Sequence, residues 1–359
     1  MTELCEAYGI SRRVGYKWLA RYAAEGPAGL ADRSHAPHRH GRQTPAELIE
    51  KIVELRRARP HWGPRKLVAR LHALHPDLPW PSHSTADQIL RRAGLVMSRR
   101  LHRRPPPRLG DLTVPERPNQ VWAVDHKGWV RLGDGSRCEP LTLADGYSRF
   151  LLAVSAGGGT SAELARPVLE RAFRDYGLPE VIRSDNGPPF ATASPTGLSA
   201  LSVWWLKLGI RHERITPGRP QENGRLERLH LTLLETLSPP AADRTAQARR
   251  FAAFRAEYNH ERPHQALGQL TPASFYSPSP RPMPRRLPEP EYGSDLIVRK
   301  VRSRGDIKWR GELIHISSAI CGEAIGLEEI ERGWRVWLYH QPIGLIDQHG
   351  RKLLPIQSG

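Results

Sequence analysis

Three carboxylates stand in sequence contexts that suggest a chemical function for them. Asp125 follows the apolar run Val-Trp-Ala-Val and is expected within a strand. Asp185 stands where a short apolar strand ends, directly before Asn-Gly, and Glu227 lies on a predicted helix after Pro-Gln-Glu-Asn-Gly. A carboxylate on a central strand is costly unless a positive group lies against it. These three residues are therefore the candidates for chemistry.

A strand, the end of its neighbour and a helix packed on the same sheet can bring three carboxylates together. Such a cluster repels itself, so its ionised form is stable only with cations. Oxygen ligands with few histidines favour Mg²⁺ or Mn²⁺, and two such ions suit in-line phosphoryl transfer. The sequence predicts Asp125, Asp185 and Glu227 as catalytic residues and as the ligands of two divalent ions.

Each of these acids also has an ordinary structural interpretation. Asp185 with the following Asn-Gly is typical of a turn, and Glu227 fits an exposed helical acid paired with Arg225 or Arg228. Asp125 is the hardest of the three to explain by structure alone, because its neighbours are apolar. Taken together, in suitable elements and in this order, the three acids favour the catalytic interpretation.

The region around the acids predicts alternating strands and helices. Residues 121–132 and 138–144 are predicted antiparallel strands joined by a Gly-Asp-Gly-Ser turn, and 149–155 is a third strand. Helices and strands then alternate over 161–176, 181–183, 198–208, 211–215, 222–237 and 245–260. This order predicts an α/β domain with a mixed sheet.

The N-terminal region predicts two helical units. In the first, a short helix ends near Gly9, and Ser11 caps a second helix that runs to about Tyr22. The apolar residues predicted to form its buried stripe are Val14, Trp18, Leu19 and Tyr22. A helix, a glycine turn and a cation-rich second helix form the helix-turn-helix pattern, which binds the major groove of DNA. Its candidate DNA contacts are Arg12, Arg13, Tyr16, Lys17 and Arg21, although a helix that merely exposes its charged face has the same pattern.

The second unit predicts helices over 46–59 and 65–72 and a third helix opened by Ser84, with Asp87 completing a capping box and Gly94 ending it. Its candidate phosphate contacts are Arg65, Lys66, Arg91 and Arg92. Taken singly, each of these residues fits an ordinary surface cation equally well.

The charge of the chain supports a polyanionic partner. The 359 residues include 54 Lys+Arg against 37 Asp+Glu, a net charge of +17, and 46 of the cations are arginine. Residues 1–110 carry 21 cations and 9 anions, so the excess is concentrated there. Arginine binds phosphate through paired N–H groups. A basic N-terminal region, joined to a remainder whose positive and negative charges nearly balance, predicts nucleic-acid binding.

Composition also excludes several classes of protein. Hydrophobic residues make up 39% of the chain, too many for wholesale disorder. The three cysteines lie far apart, which excludes a disulfide framework and a cysteine-pair zinc site. No apolar run is long enough to cross a membrane and no signal peptide is evident, so we expect a cytosolic location.

Two proline-rich and arginine-rich stretches predict linkers and therefore domain boundaries. We expect a helix-turn-helix unit over 1–42, a second, winged-helix-like unit over 43–98 and a catalytic core over 119–276. Linkers over 99–118 and 277–291 flank the core, and short β-rich runs over 292–359 predict a small β-barrel. The expected fold class is therefore multidomain: all-α, then α/β, then all-β.

The acidic blocks resemble those of bacterial insertion-sequence transposases in the retroviral-integrase superfamily. The resemblance rests on residues 122–125 (WAVD), 184–190 (SDNGPPF) and 217–228 (PGRPQENGRLER), and continues over 258–267 and 271–273. It implies a ribonuclease-H-like fold and a DDE metal site held by Asp125, Asp185 and Glu227. Glu222 is set aside, because the glutamate of the family follows the Asn-Gly pair inside the helix.

The same resemblance adds Asn223, Arg225 and Arg228 as candidate DNA contacts. His126 departs from the aromatic or hydrophobic residue that relatives often carry after the first aspartate. The interval between the second and third acids is also longer than in many relatives, and residues 191–199 are the expected surface loop that accounts for it.

The resemblance implies a DNA transposase that binds the terminal repeats of a mobile element, cuts a strand to expose a 3′-hydroxyl and joins it to target DNA. The expected partners are double-stranded DNA and further copies of the chain, in a dimer or a larger assembly. Two alternatives stay open: a catalytically idle, repurposed DNA-binding regulator, and a metal-dependent nuclease that cuts without joining.

Overall fold

The computed structural model describes residues 1–33, 43–96, 112–347, 349 and 352–355. The predicted linker over 99–118 lies outside the described residues as far as residue 111. The chain divides into two compact units, Met1–Glu50 and Lys51–Gly359, each described by itself here.

The first unit contains helices α1 (Thr2–Ala7) and α2 (Arg12–Glu25) and the start of α3 (Ala46–Ala58). Ser11 caps α2 as predicted, with its hydroxyl accepting from the Val14 N–H at 3.4 Å. The predicted buried stripe is wrong in part, because Leu19 and Tyr22 are each 51% exposed. The buried residue of α2 is instead Gly15, whose lack of a side chain lets Cys5 pack against the helix backbone.

The second unit begins with the rest of α3, followed by α4 (Pro64–Leu74) and α5 (His83–Arg92). The prediction that Ser84 opens α5 is wrong. Ser82, in extended backbone, accepts from the Thr85 N–H at 3.3 Å, so the helix begins at His83. Asp87 forms an ion pair with Arg91 at 2.8 Å instead of completing a capping box.

This helical segment is bonded to the α/β part of its unit. The Trp62 indole N–H donates to Glu257 at 3.2 Å, and Lys66 Nζ donates to the carbonyl of Pro263 at 2.7 Å. Trp62 is 2% exposed, so its polar N–H needs such a partner. This helical segment therefore forms one side of any cavity between it and the sheet domain.

The central sheet is mixed, as predicted. Its strands are β1 (Val121–His126), β2 (Val130–Arg131), β3 (Arg137–Asp145), β4 (Leu151–Gly157), β5 (Val181–Ser184) and β6 (Arg211–Arg214). The order is β2-β3-β1-β5-β6, with β4 pairing β3. β3 is antiparallel to β1 and β4, whereas β5 is parallel to β1 and β6. The single strand predicted over 121–132 is two strands, because the chain turns at Gly128, where φ is +85°.

Four helices cover the two faces of the sheet: α6 (Ala162–Tyr176), α7 (Ala200–Lys207), α8 (Gly224–Leu233) and α9 (Arg244–His260). Trp122 and Val124 of β1 belong to the core beneath α6 and α7, and Ala123 belongs to the core beneath α8 and α9. Since side chains alternate along a strand, Asp125 lies on the same face as Ala123. The helix predicted over 222–237 is shorter than expected, with 3-10 turns at Pro220–Asn223 and Leu234–Thr236 on either side of α8.

The proline-rich segment over 277–290 has no helix or strand, in agreement with an extended chain, but it is bound along the core. The Arg281 guanidinium donates to the carbonyls of Pro179 and Gly209, each at 2.9 Å. Ser279 Oγ donates to the Leu178 carbonyl at 2.7 Å. This segment therefore acts as a strap rather than a free tether.

The C-terminal strands are β7 (Ile297–Lys300), β8 (Asp306–Trp309), β9 (Glu312–His315), β10 (Ala324–Ile330), β11 (Gly333–Leu338), β12 (Gln341–Asp347) and β13 (Leu353–Leu354). They form an open sheet, β13-β12-β11-β10-β7, and a separate β8-β9 hairpin. Closure into a barrel is therefore not confirmed within the described strands, because no pairing joins the hairpin to the sheet.

The C-terminal sheet packs on the central domain. Leu198, Val203 and Leu206, from α7 and the loop before it, share one apolar core with the C-terminal strands. Gln341 pairs with the backbone of His212 on β6, accepting from its N–H at 3.0 Å and donating to its carbonyl at 3.2 Å. The expected surface loop over 191–199 is thus partly buried, because its last residues belong to this interface. Among the described residues, no helix is long and apolar enough to cross a membrane.

Candidate functional site

Asp125 and Asp185 occupy equivalent positions on neighbouring parallel strands. The register pairs Ala123 of β1 with Arg183 of β5, and each aspartate lies two residues beyond that pair. The carboxyl ends of adjacent parallel strands meet at one edge of a sheet, about 4.8 Å apart. The chain order predicted from the sequence therefore places both acids at the same edge.

α8 lies over that edge and carries Glu227 in its first turn. The helix packs against β1 through Leu226 and Leu229, while Glu227 is exposed. His230, one turn further along α8, is buried, and its Nδ1 is 3.8 Å from Asp125 Oδ2. Residues three apart in a helix share a side, and the charge of Glu227 is close enough to Asp125 to raise its pKa.

The environment of Asp125 disfavours its ionised form. The pKa of Asp125 is raised to about 7, first by burial and then by the charges of Asp185 and Glu227, against the lowering effect of the hydrogen bond from the His126 N–H. That bond is 2.7 Å long, and the Asp125 side chain is 25% exposed. The three carboxylates therefore interact electrostatically. Within the described parts of the chain, however, no three acidic, histidine or cysteine side chains converge closely enough to hold a metal ion.

Sequence reasoning missed two side chains that hold this site together. Thr142 on β3 donates to the Asp125 carbonyl at 3.1 Å, and its oxygen is 2.7 Å from His230 Nε2. Burial lowers the pKa of His230 to about 4, helped by Lys127 and His126, so the ring is neutral at pH 7. The spacing of His230 from Glu227 was a usable signal, because it places both on one side of the helix.

Glu222 has a structural role, in agreement with its exclusion. Its side chain is 1% exposed, accepts from the Thr216 N–H at 2.7 Å and lies 3.7 Å from Arg219. These contacts close the turn that precedes α8. Glu222 therefore shapes the turn that leads into the helix.

The predicted DNA contacts of α2 lie around one tryptophan. Arg12, Arg13, Tyr16 and Lys17 are exposed, and Arg21 is half-buried. The Lys17 ammonium and the Arg21 guanidinium lie 5.1 and 5.0 Å from the centroid of the Trp18 ring. Such cation–π contacts hold long side chains in defined positions.

Four of the remaining candidate DNA contacts line one cavity of about 1260 Å³, namely Arg65, Lys66, Arg225 and Arg228. It lies between α4 and α5 on one side and α8 and the end of α9 on the other. Arg149 and Arg262 also line it, although the sequence did not single them out. We call the cavity lined by these six cations the cationic chamber. Arg91 and Arg92 are exposed on α5 outside the chamber, and Asn223 is buried in the turn before α8.

Models of known protein families match most of the chain between residues 14 and 353. A homeodomain-like domain matches residues 14–90, two integrase core domains match 115–220 and 208–272, and the C-terminal domain of IS481 family transposases matches 296–353. The chain is 32% identical over 232 residues to an uncharacterized 31.7 kDa protein of insertion element IS407 from Burkholderia multivorans. That match covers 64% of this chain and 80% of the relative.

This chain belongs to the bacterial insertion-sequence transposases of the integrase superfamily. A second relative, an uncharacterized 39.2 kDa protein of insertion element IS476 from Xanthomonas euvesicatoria, is 31% identical over 253 residues, covering 68% of this chain and 70% of the relative. Among solved structures, the HTLV-2 integrase catalytic core domain in complex with magnesium matches 45% of this chain and 99% of its own, at 16% identity and a TM-score of 0.36. The family models and the two insertion-element relatives make this chain a DNA transposase with an integrase core.

The unusual His126 of this transposase occupies an aromatic position. Its ring stacks on Phe190, with centroids 5.7 Å apart and an interplanar angle of 27°. Burial lowers the pKa of His126, which keeps the imidazole neutral against this apolar neighbour. Histidine therefore replaces the expected aromatic or hydrophobic residue by stacking.

Proposed function

We propose that this transposase binds the terminal repeats of a mobile element, cuts DNA to expose 3′-hydroxyls and joins them to target DNA, using Asp125, Asp185 and Glu227. One observation carries the proposal. Two aspartates stand at matched ends of parallel strands, beneath a helix that bears a glutamate, and all three charges interact. An apolar strand that retains such a destabilised carboxylate needs a functional reason.

The donor set fits Mg²⁺ or Mn²⁺. All three candidate ligands are carboxylates, the type of ligand that these ions prefer, and their mutual repulsion is what a cation relieves. When bound, two divalent ions would supply an activated attacking oxygen and a stabilised leaving oxygen. The metal ions and the individual roles of the three acids are part of the proposal.

The residues of the chain supply the remaining functions. Thr142 holds Asp125 in place by donating to its backbone carbonyl, and His230 does so by lying beside its carboxylate. The turn at Asp185, whose Oδ1 accepts from the Gly187 N–H at 3.2 Å, directs that carboxylate to the same edge. The exposed cations of α2 would bind the terminal repeat in the major groove. In cutting, a water oxygen would bond to the phosphorus and the 3′-oxygen would leave as a hydroxyl. In joining, that hydroxyl would bond to a target phosphorus and a target 3′-oxygen would leave, so no covalent bond to the protein is required.

Several finer expectations remain predictions. They are the assembly as a dimer or larger complex on DNA, the closure of the C-terminal sheet, and the domain boundaries at 42, 98, 118, 276 and 291. Two DNA ends must be joined in concert, which supports more than one copy of the chain.

The alternative of a catalytically idle DNA-binding regulator is favoured by one observation. The described side chains of the three acids interact at a distance but do not form a group that holds a metal ion. Such a protein would bind the terminal repeat and leave it intact.

The test uses purified full-length protein, labelled terminal-repeat DNA, a plasmid target and Mg²⁺ or Mn²⁺. Joined products are expected from the wild type, and lost joining with retained DNA binding is expected from Asp125→Asn, Asp185→Asn and Glu227→Gln. Asp175→Asn is the matched control, because this half-exposed carboxylate lies on α6, beneath the opposite face of the sheet. Nicks without joining would indicate a nuclease, and bound but intact DNA would indicate a regulator. Joining by any of the three active-site variants would remove that residue from the site.

A further inference from the structure

The cationic chamber carries a large uncompensated positive charge. Among the described residues, six Arg and Lys side chains and only two carboxylates, Asp87 and Glu235, line it. Both carboxylates already have cationic partners: Asp87 pairs with Arg91 at 2.8 Å, and Glu235 lies 3.9 Å from Arg262. Glu235 also acts on Lys66, raising its pKa, but two carboxylates offset only part of the charge of six cations.

The chamber cations also lack full hydration. Burial, together with the charges of Arg262 and Arg228, lowers the pKa of Lys66 to about 7. Arg149 Nε is buried without a hydrogen-bond partner among the described residues. A buried cationic donor without a partner is costly, so the chamber is built at the expense of stability. A bound anion would relieve both the charge and the unmet hydrogen bond.

Two further buried polar atoms near these cations are unpartnered within the described chain, His264 Nε2 and Gln269 Oε1. Burial, together with the charges of Lys66 and Arg262, lowers the pKa of His264 to about 3. The imidazole is therefore neutral, and the pKa of His264 depends on the charges that lie beside it. An anion beside Lys66 would raise the pKa of His264.

The position of the chamber relates it to the acids. Arg225 and Arg228 of α8 line it, and Glu227 lies between them in the same helical turn. Two chamber cations and one of the three candidate catalytic acids therefore belong to the same turn of α8.

The size and composition of the chamber point to a polymer. Small-ligand pockets occupy about 300–1,000 Å³, which is less than the 1260 Å³ here. Five of the six cations are arginines, whose planar guanidinium groups bind phosphate oxygens in pairs. A row of phosphates matches this arrangement better than one small anion does.

We propose that the cationic chamber binds backbone phosphates of the DNA strand whose end Asp125, Asp185 and Glu227 process. The helical segment over 51–94 then has a second role besides recognition, because Arg65 and Lys66 close the chamber from its side. This inference rests on the proposed function for the identity of the strand. It adds Arg149 and Arg262, which no motif indicated, to the DNA-binding residues.

The test measures the affinity of the full-length protein for terminal-repeat DNA over a range of salt concentrations. Each phosphate contact contributes about 0.7–0.9 to the slope of log K against log salt. Arg149→Gln and Lys66→Gln should each reduce the slope by about that amount, and the double variant should reduce it by roughly twice as much. Arg149→Lys keeps the charge and should retain most of the slope. Arg171→Gln is the control, because Arg171 is 84% exposed on α6, far from the chamber lining.

Melting temperatures separate binding from folding. Removing the Arg149 cation from a crowded positive chamber should leave the free protein as stable as the wild type or more stable, whereas a merely structural role would lower its melting temperature. Arg149→Gln makes this comparison, because Lys66→Gln also loses the hydrogen bond to the Pro263 carbonyl. Wild-type slopes in both single variants and in the double variant would overturn the inference. So would a melting temperature that inorganic phosphate raises in the wild type only, with DNA slopes unchanged, since this would indicate a small-anion site.

The two proposals fail in different ways. If the wild type joins DNA and the chamber variants keep its slope, the chamber inference fails and the proposed function stands. If the wild type binds DNA but neither cuts nor joins it, the proposed function fails, and the salt slopes still decide whether the chamber holds phosphates.

Discussion

Asp125→Asn should stabilise the metal-free protein at neutral and alkaline pH. The pKa of Asp125 is raised from an ordinary 3.8 to about 7, first by burial and then by Asp185. The folded carboxyl group holds its proton more tightly than the unfolded one, so ionisation favours unfolding. Stability is therefore lost as the pH rises from about 4 to about 7, and the loss is constant above that range.

The size of the effect follows from the two pKa values. A pKa of about 7 against 3.8 corresponds to ~4 kcal/mol in the free energy of unfolding. The side chain is only 25% exposed, so solvent screens little of this penalty. Asparagine has nearly the same shape and can still accept from the His126 N–H. At ~2–4 °C per kcal/mol for a large domain, the melting temperature should rise by roughly 10 °C above pH 7.

The assay is thermal or urea unfolding of both proteins in EDTA, at a series of pH values between about 4 and 9 that brackets the two pKa values. The difference in stability between the variant and the wild type should be near zero at the acidic end and should reach a plateau above neutrality. Asp175→Asn should show no such rise. Mg²⁺ or Mn²⁺ should then stabilise the wild type and leave Asp125→Asn unchanged. A difference that does not vary with pH, or a variant less stable than the wild type at alkaline pH, would refute the electrostatic reasoning.

Three other substitutions test the supports of the site and of the core. His230→Ala should lower joining about tenfold or more with DNA binding unchanged, because His230 positions Asp125; unaltered joining rates would contradict that role. Arg281→Ala should cost about 2 kcal/mol in urea unfolding, since it removes the charged donor of the carbonyls of Pro179, Leu208 and Gly209; a loss below experimental error would mean that the strap is loose. Gly177→Ala should lower the free energy of unfolding by about 2 kcal/mol or more, because φ is +77° and the new Cβ would lie 2.6 Å from the Ser279 carbonyl oxygen. A melting temperature equal to that of the wild type would contradict this prediction.

The predictions that succeeded rest on local patterns. Alternating apolar residues placed the strands of the mixed sheet, and the serine before α2 identified where that helix begins. The one wrong cap shows the limit of such signals. Ser82 and Ser84 both precede the same apolar run, and only the extended backbone at Ser82 decides which hydroxyl faces the free N–H groups.

The prediction of the buried stripe of α2 was wrong in part for a related reason. Periodicity marks an apolar face but does not say what covers it. Leu19 and Tyr22 remain half exposed, and the close contact of the helix is made by Gly15, which carries no hydrophobic signal.

By itself, the sequence determined which acids could do chemistry, in which elements they stand and that the partner is a polyanion, because residue type, periodicity and charge are local properties. Only the tertiary structure decided that His230 and Thr142 support Asp125, and that Arg149 and Arg262 join Arg65 and Lys66 in one chamber. Those side chains come from segments far apart in the chain. Their proximity depends on how helices dock on a sheet, and that geometry is a property of the packed whole, which no single stretch of sequence contains.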